Sequence, residues 1–200
     1  MTFTHAIIIR MKYLPGDPRW PWRFAFFRDE VLPRILAQTD QDFDLCIWCH
    51  PEHRRELSRL DPKVQTFTTK HPPKNYHLQT RTDTDDWLEP EYLAKTREIV
   101  RAEARGQPLV VNFQPWKLDL KTKRVYRVRR RYGPEEPSMF LSLYQPDLTG
   151  GYRQVYCIRH NWMHRLFPRV ITVPEGYCYL VIHDANGISQ IHRGDQEVEI

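Results

Sequence analysis

Cysteine is scarce in this sequence, which limits the metal and redox chemistry open to it. The 200 residues include four cysteines, and only Cys46 and Cys49 form a C-x-x-C pair. A four-cysteine zinc site needs a second such pair, and a thioredoxin-like pair belongs at the start of a helix. This pair instead lies in an apolar run typical of a buried strand. We therefore expect free thiols in a reducing compartment.

Long apolar runs are missing as well. The first run covers only residues 6–9, which is too short for a signal peptide or a membrane span. No later apolar run approaches the length of a membrane span. The sequence also has no internal repeat and no low-complexity tail. We expect a cytoplasmic protein with no membrane span.

The composition is that of a single globular domain spanning residues 1–200. Hydrophobic residues make up 40% and aromatic residues 12% of the chain, which excludes a disordered protein. The formal net charge is +5 and the pI is about 9.1. This charge favours an anionic partner such as a nucleotide, a nucleic acid or a membrane surface, without choosing among them.

Strand and helix patterns alternate through the first half of the chain. Apolar runs predict strands at residues 5–11, 43–49, 64–68, just before Asp83, and 109–113. Helical spacing predicts helices at residues 23–38, 51–60 and 89–104, the first of them kinked or split by Pro33. Such alternation is typical of a parallel sheet with crossover helices.

The second half has a different character. Residues 116–120 and 124–128 predict a hairpin with a charged outer face, and later strands are expected at 154–158 and 177–182. The predicted fold class is therefore α/β, with a mixed sheet that is parallel in the N-terminal half and antiparallel afterwards. In open sheets of this kind the ligand lies beyond the carboxyl ends of the strands.

Three carboxylates, those of Asp83, Asp85 and Asp86, lie within four residues at such a strand end. Asp83 and Asp85 are two apart, so in extended chain they point to the same side. Like charges this close favour a bound cation, and oxygen ligands suit Mg²⁺ or Mn²⁺, which often carries a phosphate. A nucleotide-sugar enzyme would be built this way. The alternative is that Asp86 only caps a helix.

With these features together, the chain resembles the GT-A fold glycosyltransferases and, more narrowly, the rhamnosyltransferase family of bacteria and phages. The resemblance rests on a first strand ending in Arg10 and on the segments FFRDEVLP (26–33), QTDQDF (38–43), TRTDTDD (80–86), PSMFLSL (137–143) and VIHDANG (181–187). The resemblance implies a GT-A-like, Rossmann-type mixed sheet. It also implies transfer of a hexosyl or deoxyhexosyl group from a nucleotide-sugar donor to a hydroxyl acceptor.

The resemblance also suggests roles for the acidic segment. Asp85 is the first choice as a direct ligand of Mn²⁺ or Mg²⁺, Asp86 would ligate or orient a ligand, and Asp83 would face the ribose or the metal. His183, near the end of the last predicted strand, would close the metal site, although a histidine there can also be an ordinary surface residue.

Further residues are candidates for donor binding and proton transfer. Arg10 and Arg81 could bind the diphosphate through charge-assisted, bidentate bonds, or could instead pair with the aspartates. An inverting enzyme also needs a general base, for which His160, His164 and Asp184 are unranked options.

Residues 117–131 contain eight Lys or Arg and one Asp, which makes them candidates for acceptor binding. The residues that would contact a phosphate-rich acceptor are Lys123, Arg127, Arg129, Arg130 and Arg131. A glycan acceptor follows from the family resemblance, and DNA with hydroxymethylated pyrimidines follows from the charge. The other interpretation is a solvated hairpin face.

Two further classes remain at this point. In a nucleic-acid-binding module without enzymatic activity, the aspartates would repel the phosphate backbone unless a metal intervened. A metal-dependent nuclease or phosphatase would need further carboxylates at other strand ends, and the sequence offers no convincing ones.

Overall fold

The computed structural model describes residues 3–128, 138–149, 152–157, 162–167, 169–183, 191 and 195–198. In chain order its strands are β1 (His5–Met11), β2 (Asp44–Cys49), β3 (Val64–Phe67), β4 (Leu78–Thr82), β5 (Trp87–Leu88), β6 (Leu109–Phe113), β7 (Trp116–Asp119), β8 (Val125–Arg127), β9 (Leu141–Tyr144), β10 (Val170–Val173), β11 (Cys178–Ile182) and β12 (Gln196–Val198). The α-helices are α1 (Trp20–Phe26), α2 (Leu32–Leu36), α3 (Arg54–Leu57), α4 (Tyr92–Glu103) and α5 (Met163–Leu166).

The main sheet has seven strands in the order β10-β6-β9-β4-β1-β2-β3. The strands β1 to β4 run parallel, as the alternating pattern predicts, and β9 is inserted antiparallel between β4 and β6. The run Ala6–Ile9 lies at the centre of this sheet and is fully buried. Ile7 and Ile9 belong to one hydrophobic cluster while Ala6 and Ile8 belong to another, so both faces are covered, as a continuous apolar run predicts.

A second, smaller sheet has the order β12-β8-β7-β11-β5. The predicted hairpin is confirmed: β7 and β8 pair antiparallel with Leu118 opposite Val125. In this sheet β11 runs parallel to β7 and antiparallel to β5. The chain passes from the main sheet to the smaller one between β4 and β5, and the acidic segment is the connection.

The first helical region runs from Trp20 to Leu36 and contains a π-helical turn at Phe27–Val31. The predicted interruption at Pro33 therefore takes the form of this wider turn just before the proline. Pro33 has no N–H for the carbonyl four residues earlier, and an i→i−5 bond from the Leu32 N–H to the Phe27 carbonyl accommodates the change.

Several local predictions differ from the structure. The predicted strand at 154–158 is wrong, because residues Val155–Cys157 form a 3-10 turn. The predicted helix at 51–60 shrinks to a 3-10 turn followed by α3. The strands β5, β9, β10 and β12 are not predicted from the sequence. In the described part of the chain, no helix combines the length and the apolar character needed to cross a bilayer.

Candidate active site

The acidic segment forms the turn that joins the carboxyl end of β4 to β5. Asp86 is buried, and its Oδ1 accepts a hydrogen bond from the backbone N–H of Val181 at 3.3 Å, so it ties this turn to β11. The N-cap residue of α4 is Glu91, and its side chain makes no capping hydrogen bond. The interpretation of Asp86 as a helix cap is therefore wrong.

Asp85 is held by two basic side chains that come from distant parts of the chain. Arg23, on α1, forms an ion pair with Oδ2 of Asp85, and Nε2 of His183 lies 3.2 Å from the same oxygen. Burial opposes ionisation of Asp85, but the hydrogen bond from His183 and the pairing with Arg23 outweigh it. The pKa of Asp85 therefore lies below its usual value.

Asp83 has a different environment. The Tyr156 hydroxyl lies 2.6 Å from the Thr82 carbonyl and 3.2 Å from Oδ1 of Asp83, so it bonds to the chain at the end of β4. The guanidinium of Arg81 lies over the Tyr156 ring, 4.6 Å from its centre. Burial raises the pKa of Asp83, although the positive charge of Arg81 opposes the rise.

The three carboxylates interact with one another. The pKa of Asp86 is raised, first by burial and then by the negative charges of Asp85 and Asp83. A cation bound at the strand end would relieve this repulsion, in line with the prediction from the sequence. Arg23 supplies one positive charge to the cluster.

The donor set fits a divalent ion in its chemistry. Carboxylates and an imidazole are usual ligands of divalent ions, and Nδ1 of His183 is buried without a hydrogen-bond partner among the described residues. Within those residues, however, no three His, Cys, Asp or Glu side chains are arranged around one point where a metal ion could bind. A metal would therefore require local rearrangement or a ligand from residues 184–190, and Asp184 is one of these.

Two aromatic rings flank His183. The Trp22 ring centre lies 4.2 Å from that of the imidazole, and Phe26 lies 5.8 Å away while stacking on Trp22. Because both residues are on α1, this helix contributes both the cation and the aromatic wall of the site.

The remaining donor-binding and proton-transfer candidates are more dispersed. Arg10 is exposed at the end of β1, with its guanidinium 5.6 Å from the Trp48 ring centre. Arg81 lies at the cluster itself, and its Nε is buried without a partner in the part of the chain that the structure describes. His164 is half-buried on α5. His160 and Asp184 lie outside the described residues.

Several charges of the predicted acceptor surface are neutralised within the chain. Lys117 is buried and paired with Asp195 at 2.7 Å, Arg124 pairs with Glu197 at 3.2 Å, and Arg127 lies 3.6 Å from Glu175. Lys123 is exposed in the turn of the hairpin with a φ of 59°. Arg129, Arg130 and Arg131 lie outside the described residues.

Two contributors to the site, Arg23 and Tyr156, are not predicted from the sequence. Arg23 lies in a helical pattern 62 positions before its partner Asp85, and Tyr156 lies in a segment predicted as a strand. Local spacing carries no signal for such distant pairs. The only available hint is that Arg23 and Trp22 lie in an aromatic-rich stretch directly after a proline-rich loop.

The fold of this chain is a mixed α/β fold with a mostly parallel central sheet and added antiparallel strands, as the sequence predicts. Among solved structures it is similar to S. aureus TarS. The structure of TarS residues 1–349 in complex with UDP-GlcNAc superposes with a TM-score of 0.59 and 11% identity, covering 94% of this chain and 61% of that one.

Two further structures of S. aureus TarS agree. One of them matches with a TM-score of 0.54 and 10% identity, over 90% of this chain and 37% of that one. A second structure of TarS residues 1–349 matches with a TM-score of 0.55 and 10% identity, over 89% of this chain and 60% of that one. This chain therefore spans less than two thirds of the proteins it matches, and at these identities the similarity establishes the fold.

No protein-family model matches the chain, and no curated protein matches its sequence. The narrower resemblance to the rhamnosyltransferase family therefore stays a prediction.

Proposed function

We propose that this protein is a metal-dependent glycosyltransferase that moves a hexosyl or deoxyhexosyl group from a nucleotide-diphosphate sugar to a hydroxyl of a glycan. One observation carries the proposal: three mutually repelling carboxylates form the turn at the carboxyl end of β4. They do so in a fold shared with TarS, whose structure was solved with UDP-GlcNAc. The carboxyl end of a parallel strand is where an open α/β sheet binds its ligand.

In this proposal the acidic segment and its neighbours bind the donor. Asp85, Asp86 and His183 would hold Mn²⁺ or Mg²⁺, and Asp83 would face the ribose or the same ion. The bound ion would offset the negative charge that develops on the diphosphate leaving group. Arg81 would bind the diphosphate, since its Nε is buried and free of hydrogen bonds among the described residues, and Arg10 would approach it from the end of β1.

The acceptor hydroxyl has to lose a proton as it attacks the sugar. His164 is the candidate base that the structure describes, while His160 and Asp184 lie outside the described residues.

The ion pairs of the hairpin bear on the alternative DNA acceptor. Lys117, Arg124 and Arg127 each have an acidic partner within the chain. Cations that are already paired release fewer counterions when they contact a phosphate backbone. The basic run should therefore bind a polyanion more weakly than its sequence predicts. We therefore place glycan ahead of hydroxymethylated DNA as the acceptor.

A donor-hydrolysis panel tests the proposal directly. Several nucleotide sugars, UDP-GlcNAc among them, would be incubated with the protein with and without Mn²⁺, and released nucleoside diphosphate would be measured. We expect release from one donor class, dependent on the ion and abolished by chelator. Release that is equal with and without a divalent ion would exclude the metal role, and no release from any donor would count against transferase activity.

A further inference from the structure

Two arginines lie on the same face of the main sheet, at its carboxyl edge. Arg10 is near the end of β1 and Arg81 is near the end of β4, and these two strands are neighbours in the sheet. Across the parallel strands Arg10 is in register with Trp48, and Arg81 is in register with Ile8. Residues in register point to the same face, and Trp48 and Ile8 belong to one hydrophobic cluster. Both arginines therefore extend from the face that this cluster covers.

These arginines and a nearby lysine each lie against an aromatic ring. The Arg10 guanidinium is 5.6 Å and the Lys12 ammonium 5.1 Å from the centre of the Trp48 ring. The Arg81 guanidinium is 4.6 Å from the centre of the Tyr156 ring, whose hydroxyl is hydrogen-bonded to the end of β4. An aromatic ring attracts a cation but leaves its charge in place, whereas an acidic partner cancels that charge.

The charge at this edge is available to a ligand. Arg10 and Lys12 are exposed, and neither has an acidic partner in the part of the chain that the structure describes. Nε of Arg81 is buried and has no hydrogen-bond partner among those same residues. The hairpin differs, because its Lys117 and Arg124 are paired with acidic side chains. The carboxyl edge therefore keeps the positive charge that the hairpin loses.

Trp48 gives the two cations of β1 a fixed surface. Its side chain is only 8% exposed, and Phe67 stacks beside it with the two ring planes 12° apart. Long basic side chains lose conformational freedom when they bind a ligand, which lowers the affinity. Arg10 and Lys12 already rest on a packed ring, so less of that freedom remains to be lost.

We propose that Arg10, Lys12 and Arg81 bind a diphosphate, and that Trp48 and Tyr156 are positioning residues that hold these cations at the carboxyl edge. The three cations are called the basic edge below. The inference deepens the proposed function and rests on it, because the diphosphate is that of the nucleotide-sugar donor. Adjacent strands lie about 4.8 Å apart, a separation that two linked phosphates can span. The cations contact phosphate oxygens directly through charge-assisted hydrogen bonds, so their contribution does not require a divalent ion.

Calorimetric titration in the presence of EDTA tests the basic edge without any measurement of activity. The ligands are pyrophosphate, UDP and UMP, and the proteins are wild type, Lys12→Met, Trp48→Leu, Trp48→Phe and the control Arg101→Met. Arg101 is exposed on α4, and its guanidinium lies 5.8 Å from the centre of the Phe3 ring, just before the start of β1. The control therefore removes one positive charge from an aromatic contact at the opposite edge of the sheet.

We expect Lys12→Met to bind pyrophosphate and UDP roughly tenfold more weakly than wild type, as the loss of one charge-assisted hydrogen bond implies. The loss should be smaller for UMP, which has a single phosphate. Trp48→Leu should weaken binding of both diphosphates several-fold, whereas Trp48→Phe keeps a ring face and should retain most of the affinity. Arg101→Met should bind all three ligands as wild type does.

The alternative results separate the basic edge from the proposed function. Unchanged diphosphate binding in Lys12→Met, equal weakening in Arg101→Met, or no diphosphate binding by wild type in EDTA would overturn the basic edge, without bearing on a metal-dependent donor site. Wild-type affinity in folded Trp48→Leu would overturn the positioning role, and Lys12→Met tests the edge at an exposed position if Trp48→Leu does not fold. Pyrophosphate binding that depends on Lys12, with UDP bound no more tightly than pyrophosphate, would support the edge and count against a nucleotide donor.

Discussion

Asp85 is ionised although its side chain is largely buried, because two basic side chains, Arg23 and His183, contact the same carboxylate oxygen. Asp86, one residue later, has a backbone N–H as its partner, and its pKa is raised by burial and by its neighbours. Adjacent aspartates thus have opposite tendencies to ionise. At the scale of single residues, this difference makes Asp85 the anionic centre of the candidate site.

Asp85→Asn should abolish metal-dependent donor binding while the fold is kept. The amide keeps the shape but is a poor ligand for a hard ion, so we expect nucleoside diphosphate release to fall by roughly 100-fold or more. The loss of the charged hydrogen bonds should lower the free energy of unfolding by about 1–3 kcal/mol. Circular dichroism should be unchanged, and Asp29→Asn, at an exposed carboxylate, serves as control. Near-normal turnover in Asp85→Asn would show that the site lies elsewhere.

His5 gives a prediction about stability that is independent of catalysis. It is buried in β1, where Nε2 lies 2.8 Å from the Thr80 hydroxyl, and burial followed by the charge of Arg97 lowers its pKa to about 3. The folded state binds a proton at His5 less readily than the unfolded chain does, so protonation of His5 favours unfolding. The stability that neutral His5 contributes is therefore fully present above pH 6.5 and is lost as the pH falls toward 3. Between pH 7.5 and 5 the loss should be about 2 kcal/mol.

Urea unfolding at several pH values measures this effect. His5→Gln can still hydrogen-bond to Thr80 but does not titrate, so its stability should fall less between pH 7.5 and 5 than that of wild type. The difference between the two proteins isolates His5 from all other titrating groups. Parallel pH profiles for the two proteins would contradict the assigned role of burial.

At the scale of elements, Arg97 fastens α4 to the loop before β2. Its side chain is only 6% exposed; Nη1 donates to the Asp42 carbonyl at 2.6 Å, and Nη2 pairs with the Asp42 carboxylate at 2.8 Å. Nε also lies 3.1 Å from Oδ2 of Asp40. One buried guanidinium thus joins α4 to the loop before β2.

Arg97→Met should destabilise the protein by about 1–3 kcal/mol, because the Asp42 carbonyl and the carboxylates of Asp42 and Asp40 lose a charged partner. The cost stays below that of a fully buried pair, since the Asp42 carboxylate is 80% exposed and can be solvated. Arg97→Lys should recover only part of the loss, because a lysine cannot span both aspartates. Arg101→Met, at an exposed position one turn along α4, is the matched control. Equal stability of the Arg97 and Arg101 variants would exclude the fastening role.

At the scale of the whole molecule, donor binding should appear as thermal stabilisation. A ligand that binds only the folded state at 100 times its Kd adds about 2.7 kcal/mol. For a chain of this length, such a gain raises the melting temperature by roughly 5–11 °C. We expect this shift with nucleoside diphosphate plus Mn²⁺ and a much smaller one with nucleotide alone. Equal shifts in a thermal melt with and without the ion would contradict bridging by a metal.

The acceptor can be decided with DNA that contains hydroxymethylcytosine. We expect no hexose-sized mass gain in its nucleosides after incubation with the protein and a full donor panel. Replacing Arg129, Arg130 and Arg131 with Ala should leave donor hydrolysis intact and leave the salt dependence of duplex binding unchanged. A mass gain, together with a log–log salt slope lowered by roughly 0.9 for each lost phosphate contact, would establish the DNA alternative.

Elements that show a clear local pattern could be predicted from the amino-acid sequence alone. The apolar run of β1, the helical spacing of α4 and the alternation of β7 are local patterns, and each of these elements forms as expected. The position of the acidic segment at the end of β4 followed in the same way, because it depends only on where that strand stops.

The way in which these elements meet is visible only in the folded structure. It inserted β9 between β4 and β6, separated the β7–β8 hairpin into a second sheet, and brought Arg23 and His183 to the same oxygen of Asp85. It also supplied acidic partners for the basic hairpin, which weakens the case for a DNA acceptor. Periodicity in the sequence shows which face of an element is buried. Ion pairs and the order of strands in a sheet depend instead on contacts between residues 60 to 100 positions apart, so a local pattern does not reveal them.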